Sequence, residues 1–149
     1  MPSNRIDYDL SKIQFTIGGE RISGSGQGAA SGGLVTFSPN SARMTANRGA
    51  DGFSSYSRNN DNSYKAEVTV MRGSHAYKTL SDLQVAQGTQ YPIEALPLIC
   101  YDPVSGDRIS SQYTIFMEEP ELGFGATNGE ATFILDLPKP TVRRGLNIT

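Results

Sequence analysis

The sequence predicts a mainly β protein, an antiparallel β-barrel or sandwich with one α-helix and long loops. Three observations carry that prediction. Short stretches of alternating apolar and polar residues recur between turn signals along the chain. Sixteen glycines, with 37% hydrophobic and 19% charged residues, suit strands and turns better than helices. Only one segment, opening at Ser74, changes to a helical period. At 149 residues the chain has the size of a single domain, large enough to bury a core without disulfides or metal.

Residues 1–10 are polar and aperiodic, as expected of an N-terminal arm. Ile13, Phe15 and Ile17 then alternate with Gln14 and Thr16. Gly18-Gly19 supplies the positive φ angles of a two-residue hairpin turn, and Glu20 to Ser23 forms the return strand. The tract 24–33 is built of small residues and is expected to be a flexible loop that orders on association. Gly24 to Ala29 fits the glycine spacing of a dinucleotide fingerprint. That fingerprint needs a helix next, and the strand Leu34–Phe37 follows instead, which argues against phosphate binding.

Leu34–Ser38 and Ala42–Ala46 read as strands around the turn Ser38-Pro39-Asn40-Ser41. After a second turn at Arg48-Gly49-Ala50-Asp51-Gly52, Phe53 and Tyr56 fall in a short strand, and a polar connector runs from Ser57 to Ser63. The strand Tyr64–Arg72 organises the chain. Tyr64, Ala66, Val68 and Val70 point to one side while Lys65, Glu67 and Thr69 point to the other. Ser74 is a suitable N-cap for a helix with Ala76, Tyr77, Leu80 and Leu83 on one face and Gly88 just beyond its end. Ile93–Tyr101 and Ile109–Met117 form a hairpin around Pro103 and Gly106, the second strand mixing polar Ser110, Gln112 and Thr114 with apolar Tyr113, Ile115 and Met117. Glu118-Glu119-Pro120-Glu121 breaks the pairing, Asn128-Gly129 turns the chain into the last strand, Ala131–Leu137, and Pro138-Lys139-Pro140 ends the sheet. Residues 138–149 are left as a C-terminal tail.

A net charge of -2 and a pI near 5.3 give no general grip on nucleic acid. Cys100, the single cysteine, is expected to pack as a small core residue. With no apolar leader and no run of membrane-spanning length, the chain is expected to be a soluble product of a cytoplasm, without membrane contact. His75, the single histidine, stands at the helix start with no nucleophile or carboxylate at recognisable spacing, so it is expected to be exposed. Glu118, Glu119 and Glu121 crowd into one proline-containing turn, the pattern of a solvated loop more than of two carboxylates facing each other across a sugar. No catalytic, cofactor-binding or metal-binding residue is expected.

The order of these elements resembles the tail tube proteins of contractile-tailed, myovirus-type bacteriophages. The matching residues are Ile17 to Gly24, Gly49 to Gly52, Ser57 to Asp61, Glu67 to Val70, the helix from Ser74, and Pro120 to Gly125, within a span from Ile13 to Leu137. The sequence departs from that pattern in the glycine- and alanine-rich tract 24–33 and in a longer tail after Pro138.

The resemblance implies a barrel-like fold of the phage tail tube type, shared with the type VI secretion tube, and hexameric rings stacked into a hollow tube. Such a tube surrounds the tape measure protein, lies inside the tail sheath, joins baseplate and tail terminator proteins, and makes transient, non-specific contact with DNA during ejection. It implies no cofactor and no enzymatic activity, and a place in the virion tail after assembly in the host bacterial cytoplasm. Arg48, Asp51, Arg58, Gly26 and Gly28 are the candidate inter-subunit contacts, with Arg43 close by. Glu118, Glu119 and Glu121 are the candidate lumen or ring-interface charges, because a cationic lumen would hold phosphate and stall DNA. Deleting residues 23–32 is expected to impair stacking more than folding. Two alternatives are a β-sandwich binding module of glycan-binding or adhesin type, which leaves the helix and the order of motifs unexplained, and the tube subunit of a related contractile injection or type VI secretion system.

Overall fold

The computed structural model describes residues 12–23, 34–90, 92–125 and 129–145. The arm, the tract 24–33 with Gly26 and Gly28, and residues 146–149 lie outside them. Ten strands and one helix are found among the described residues: β1 (Gln14–Ile17), β2 (Glu20–Arg21), β3 (Val35–Pro39), β4 (Met44–Arg48), β5 (Ser54–Arg58), β6 (Tyr64–Met71), α1 (His75–Gly88), β7 (Leu96–Tyr101), β8 (Arg108–Glu118), β9 (Glu130–Leu137) and β10 (Thr141–Arg143). The fold is therefore mainly β and antiparallel with one helix. An eight-stranded sheet runs in the order β2-β1-β7-β8-β9-β6-β3, with β10 also on β8. Among the described residues, β4 and β5 pair only with each other.

The main sheet curls, so that strands far apart in its order share one interior. The ring of Phe15 in β1 lies 6.3 Å from that of Phe37 in β3. Ala66, Val68 and Val70 of β6 and Phe133, Leu135 and Leu137 of β9 fill the middle, on the face their alternation assigns. Phe133 is clasped between Tyr77 of the helix, at 6.2 Å, and Phe116 of β8, edge-on at 6.3 Å. Burying each such side chain stabilises the fold by about 1.5–3 kcal/mol.

Two polar side chains complete the sheet where strands run out. Beyond β2, the buried Ser23 hydroxyl accepts from the Phe15 N–H at 2.8 Å and donates to the Ile13 carbonyl at 2.5 Å. A deletion that begins at Ser23 therefore removes part of the barrel, and a deletion meant to test the loop must start after it. Before β7 begins, the amide of buried Gln87 donates to the Thr114 carbonyl at 3.1 Å and to the Glu94 carbonyl at 3.0 Å. It accepts from the Phe116 N–H at 2.8 Å. Gln87 thus stands in for a missing strand beside β8 and ties the end of the helix to the sheet, since buried backbone groups need partners. Beside it, the Thr114 hydroxyl is buried without a partner.

Three expectations are corrected. Gly88 is the last helical residue, not the one beyond, and Thr89 caps the helix through an N–H bond to the Val85 carbonyl at 3.2 Å. At the other end Ser74 acts as expected, accepting from the Tyr77 N–H at 3.1 Å. Pro138-Lys139-Pro140 interrupts the sheet without ending it, because Thr141–Arg143 of the supposed tail pairs with β8. It keeps the register of β9, in which Asp136 faces Ile115 and Thr141 faces Ser110. Two prolines, which have no N–H to donate, account for the gap.

The third correction concerns β8. Leu98 faces Ser111 while Leu96 faces Thr114, so β8 carries one extra residue against β7. This bulge shifts the alternation. Ile109, Ser111, Thr114 and Phe116 face the core, while Tyr113, 56% exposed, and Met117 face out.

Candidate functional site

Among the described residues, no group of three or more His, Cys, Asp or Glu side chains could hold a metal ion. No helix is long and apolar enough to cross a membrane. His75 is exposed at the first turn of the helix. Cys100 is half-buried against the core, and burial, with the nearby Asp102 charge, pushes its thiol up to about 12, leaving it protonated and unreactive at neutral pH. The chemistry on offer lies in surfaces, of which three stand out.

The first surface is the β4–β5 hairpin. It continues the β3–β6 pair outward as one long ribbon, joined through a polar neck. At the barrel end of the neck the Asn40 N–H bonds the Ser63 carbonyl; at the hairpin end the Asn59 N–H bonds the Arg43 carbonyl. Asp61 sits between them. It accepts from the Ser63 N–H at 3.1 Å, the Ser63 hydroxyl at 2.7 Å and the Ser41 hydroxyl at 3.0 Å. Those bonds, the Ser63 hydroxyl foremost, hold its carboxyl below the ordinary value of 3.8. Arg43 reaches across to the Asn62 side-chain carbonyl.

Register then sorts the hairpin into two faces. Met44 faces Arg58, Ala46 faces Tyr56, and Arg48 faces Ser54, all on one side. Thr45, Asn47, Ser55 and Ser57 fill the other. The candidate contacts Arg48 and Arg58 therefore share a face with Met44 and Tyr56, which is 65% exposed. Arg48 also bonds the Ser54 hydroxyl at 2.9 Å. Asp51 does not join them. It shapes the tip, accepting from the Phe53 N–H at 3.1 Å, with Gly52 at φ 93° and Phe53 71% exposed. Met44 and the pairing of Ala46 with Tyr56 were not read from the sequence, because the shared face depends on register.

The second surface is the outer face of β6 and β9. Here Thr69 and Thr132 are hydrogen-bonded across the strands at 3.1 Å, and Lys65 pairs with Glu67 at 3.1 Å. Asp136 lies opposite Lys65 and Glu130 opposite Met71, giving three carboxylates to one ammonium.

The third is the segment after β8. Glu118, Glu119 and Glu121 are all exposed, followed by Leu122 and Phe124, the latter 87% exposed. Arg72 anchors the segment: its guanidinium lies 5.5 Å from the Phe124 ring centroid and donates to the Gly123 carbonyl.

No family profile and no curated sequence matches this chain. Among solved structures, it is similar to the tube-terminating cap of the anti-feeding prophage, determined by cryo-electron microscopy. The TM-score is 0.53 at 10% identity, over 96% of each chain. At that identity the likeness concerns the fold, which the two chains share along almost their whole length.

Proposed function

We propose that this protein is a non-enzymatic structural subunit of a contractile phage tail or related injection device, assembling with copies of itself as a ring in or at the end of the tail tube. The β4–β5 hairpin carries the reading. An isolated two-stranded hairpin is marginally stable in water, and this one holds a two-faced register with no buried residue of its own. A neighbouring subunit is the partner that Met44, Tyr56, Arg48 and Arg58 fit. The shared fold with a tube-terminating cap supports the same reading, and tube subunit and cap are its two forms. Neighbours in the assembly are then tube subunits, with sheath, tape measure, baseplate and terminator proteins around them, in a virion tail put together in the host cytoplasm.

In such a ring the acidic outer face of β6 and β9 is the wall turned to the lumen, where carboxylates keep a passing polyanion from sticking. Six copies per ring is the number the tube resemblance gives.

Negative-stain electron microscopy and sedimentation over a range of concentrations test the reading. Rings with a central hole, lost in the Met44→Ser/Tyr56→Ser double variant while its urea midpoint stays unchanged, are the expected result. A wild-type chain that neither forms rings nor caps preassembled tail tubes overturns it.

A further inference from the structure

One strand carries opposite chemistries at its two ends. β8 begins at Arg108 and ends at Glu118, which at about 3.3 Å per residue places the ends roughly 33 Å apart. The Glu118–Phe124 segment at the far end is acidic and apolar. At the near end, the outer faces of β7, β8 and β10 form a cleft of about 490 Å³ lined by Arg108, Lys139, Ile99 and Tyr113 among others, with no carboxylate in its wall. The bulge in β8 turns Tyr113 into this cleft, and the interruption between β9 and β10 puts Lys139 at its rim.

The cations here have no ion-pair partner among the described residues. Arg108 faces Arg143 directly across the β8–β10 pair, an arrangement of like charges that costs stability. Neither arginine, nor Lys139, makes an ion pair with another described residue. The two carboxylates of the adjoining turn line a neighbouring cavity with Arg108 and Arg143, and each is hydrogen-bonded to other groups. Asp102 accepts from the Val104 N–H and the Ser105 hydroxyl, both at 2.9 Å, and Asp107 accepts from the Gly145 N–H at 3.2 Å.

We infer that the acidic segment of one copy docks in the basic cleft of the next. Glu119 and Glu121 meet Arg108 and Lys139, and Leu122 or Phe124 covers Ile99 and Tyr113. A second copy is the occupant because this chain itself presents, at the other end of the same strand, a segment complementary in charge and apolarity. The patches are distinct surfaces, so the contact is head-to-tail and generates a closed ring when its rotation closes. The inference rests on the proposed ring-forming role and names a contact within the ring besides that of the hairpin.

Charge exchange tests it. The Arg108→Glu/Lys139→Glu and Glu119→Lys/Glu121→Lys variants are examined by sedimentation velocity, alone and mixed in equal amounts, with urea midpoints confirming that each folds. Each alone is expected to need at least about tenfold more protein than wild type to associate, a change of about 1.4 kcal/mol. The mixture is expected to recover wild-type association, because each reversed patch then finds its complement. Either variant associating like wild type, or a mixture that stays dissociated, overturns the inference and leaves the ring-forming role standing. Wild type that never associates overturns the inference, and the proposed role falls with it when the chain also fails to cap preassembled tail tubes.

Discussion

The barrel and the hairpin that leaves it are made of the same kind of strand, and they are held together in opposite ways. In β6 every second residue is buried in the core; in β4 all five residues are exposed. The barrel pairs the backbone groups that its strands leave over, as Gln87 and Ser23 show, and the Thr114 hydroxyl is the exception. The hairpin has pairing, a glycine turn and a polar neck, but no core. A folded part and a waiting part occur in one chain, and alternation alone does not tell them apart.

Perturbing each part should separate them. The largest effect belongs to the barrel: Phe133→Ala empties the space between Tyr77 and Phe116 and is expected to cost about 3–5 kcal/mol in urea unfolding. A loss below 1 kcal/mol would mean that the core is looser than its packing implies. Next is Gln87→Ala, which strands the Phe116 N–H and the Thr114 carbonyl and is expected to cost about 1–3 kcal/mol. It should also speed amide exchange at Phe116, a local readout that a general loss of packing would not single out.

The smallest effect lies in the neck. The carboxyl of Asp61 is depressed in the folded chain, so its contribution is complete above 3.8 and fades as pH falls through the folded value. Amide signals of Asp61 and Ser63, followed by NMR as pH falls from about 5, should shift together while those of Phe15 and Leu98, on strands without a carboxylate, stay fixed. If those core amides move with them, the neck is not an independent unit. Asp61→Asn should remove the titration.

The barrel was largely legible in the sequence. β1, β6 and β9 carry clean alternation because one face of each is buried, and Gly18-Gly19 marks its hairpin, with φ angles of 61° and 84°. β8 was harder. Its bulge displaces the alternation by one residue, so Tyr113 and Met117 look like core residues and are exposed. β10 was hidden behind two prolines that, read locally, stop a sheet. The grouping of Glu118, Glu119 and Glu121 could be read from proximity alone. The shared face of Arg48 and Arg58 could not, nor could the facing of Arg108 and Arg143, since both depend on which residues stand opposite across a ladder.

The neck spans two residues on its outgoing side, Ser41 and Ala42, and three on its return, Asn60, Asp61 and Asn62. That extra residue works as a bulge does, bending and twisting the strand that carries it, so it acts as a swivel between the barrel and the hairpin. The glycine turn fixes which residues of β4 and β5 stand opposite each other, so removing the extra residue is expected to leave Met44 and Tyr56 on one face and to change only the direction in which the hairpin leaves the barrel.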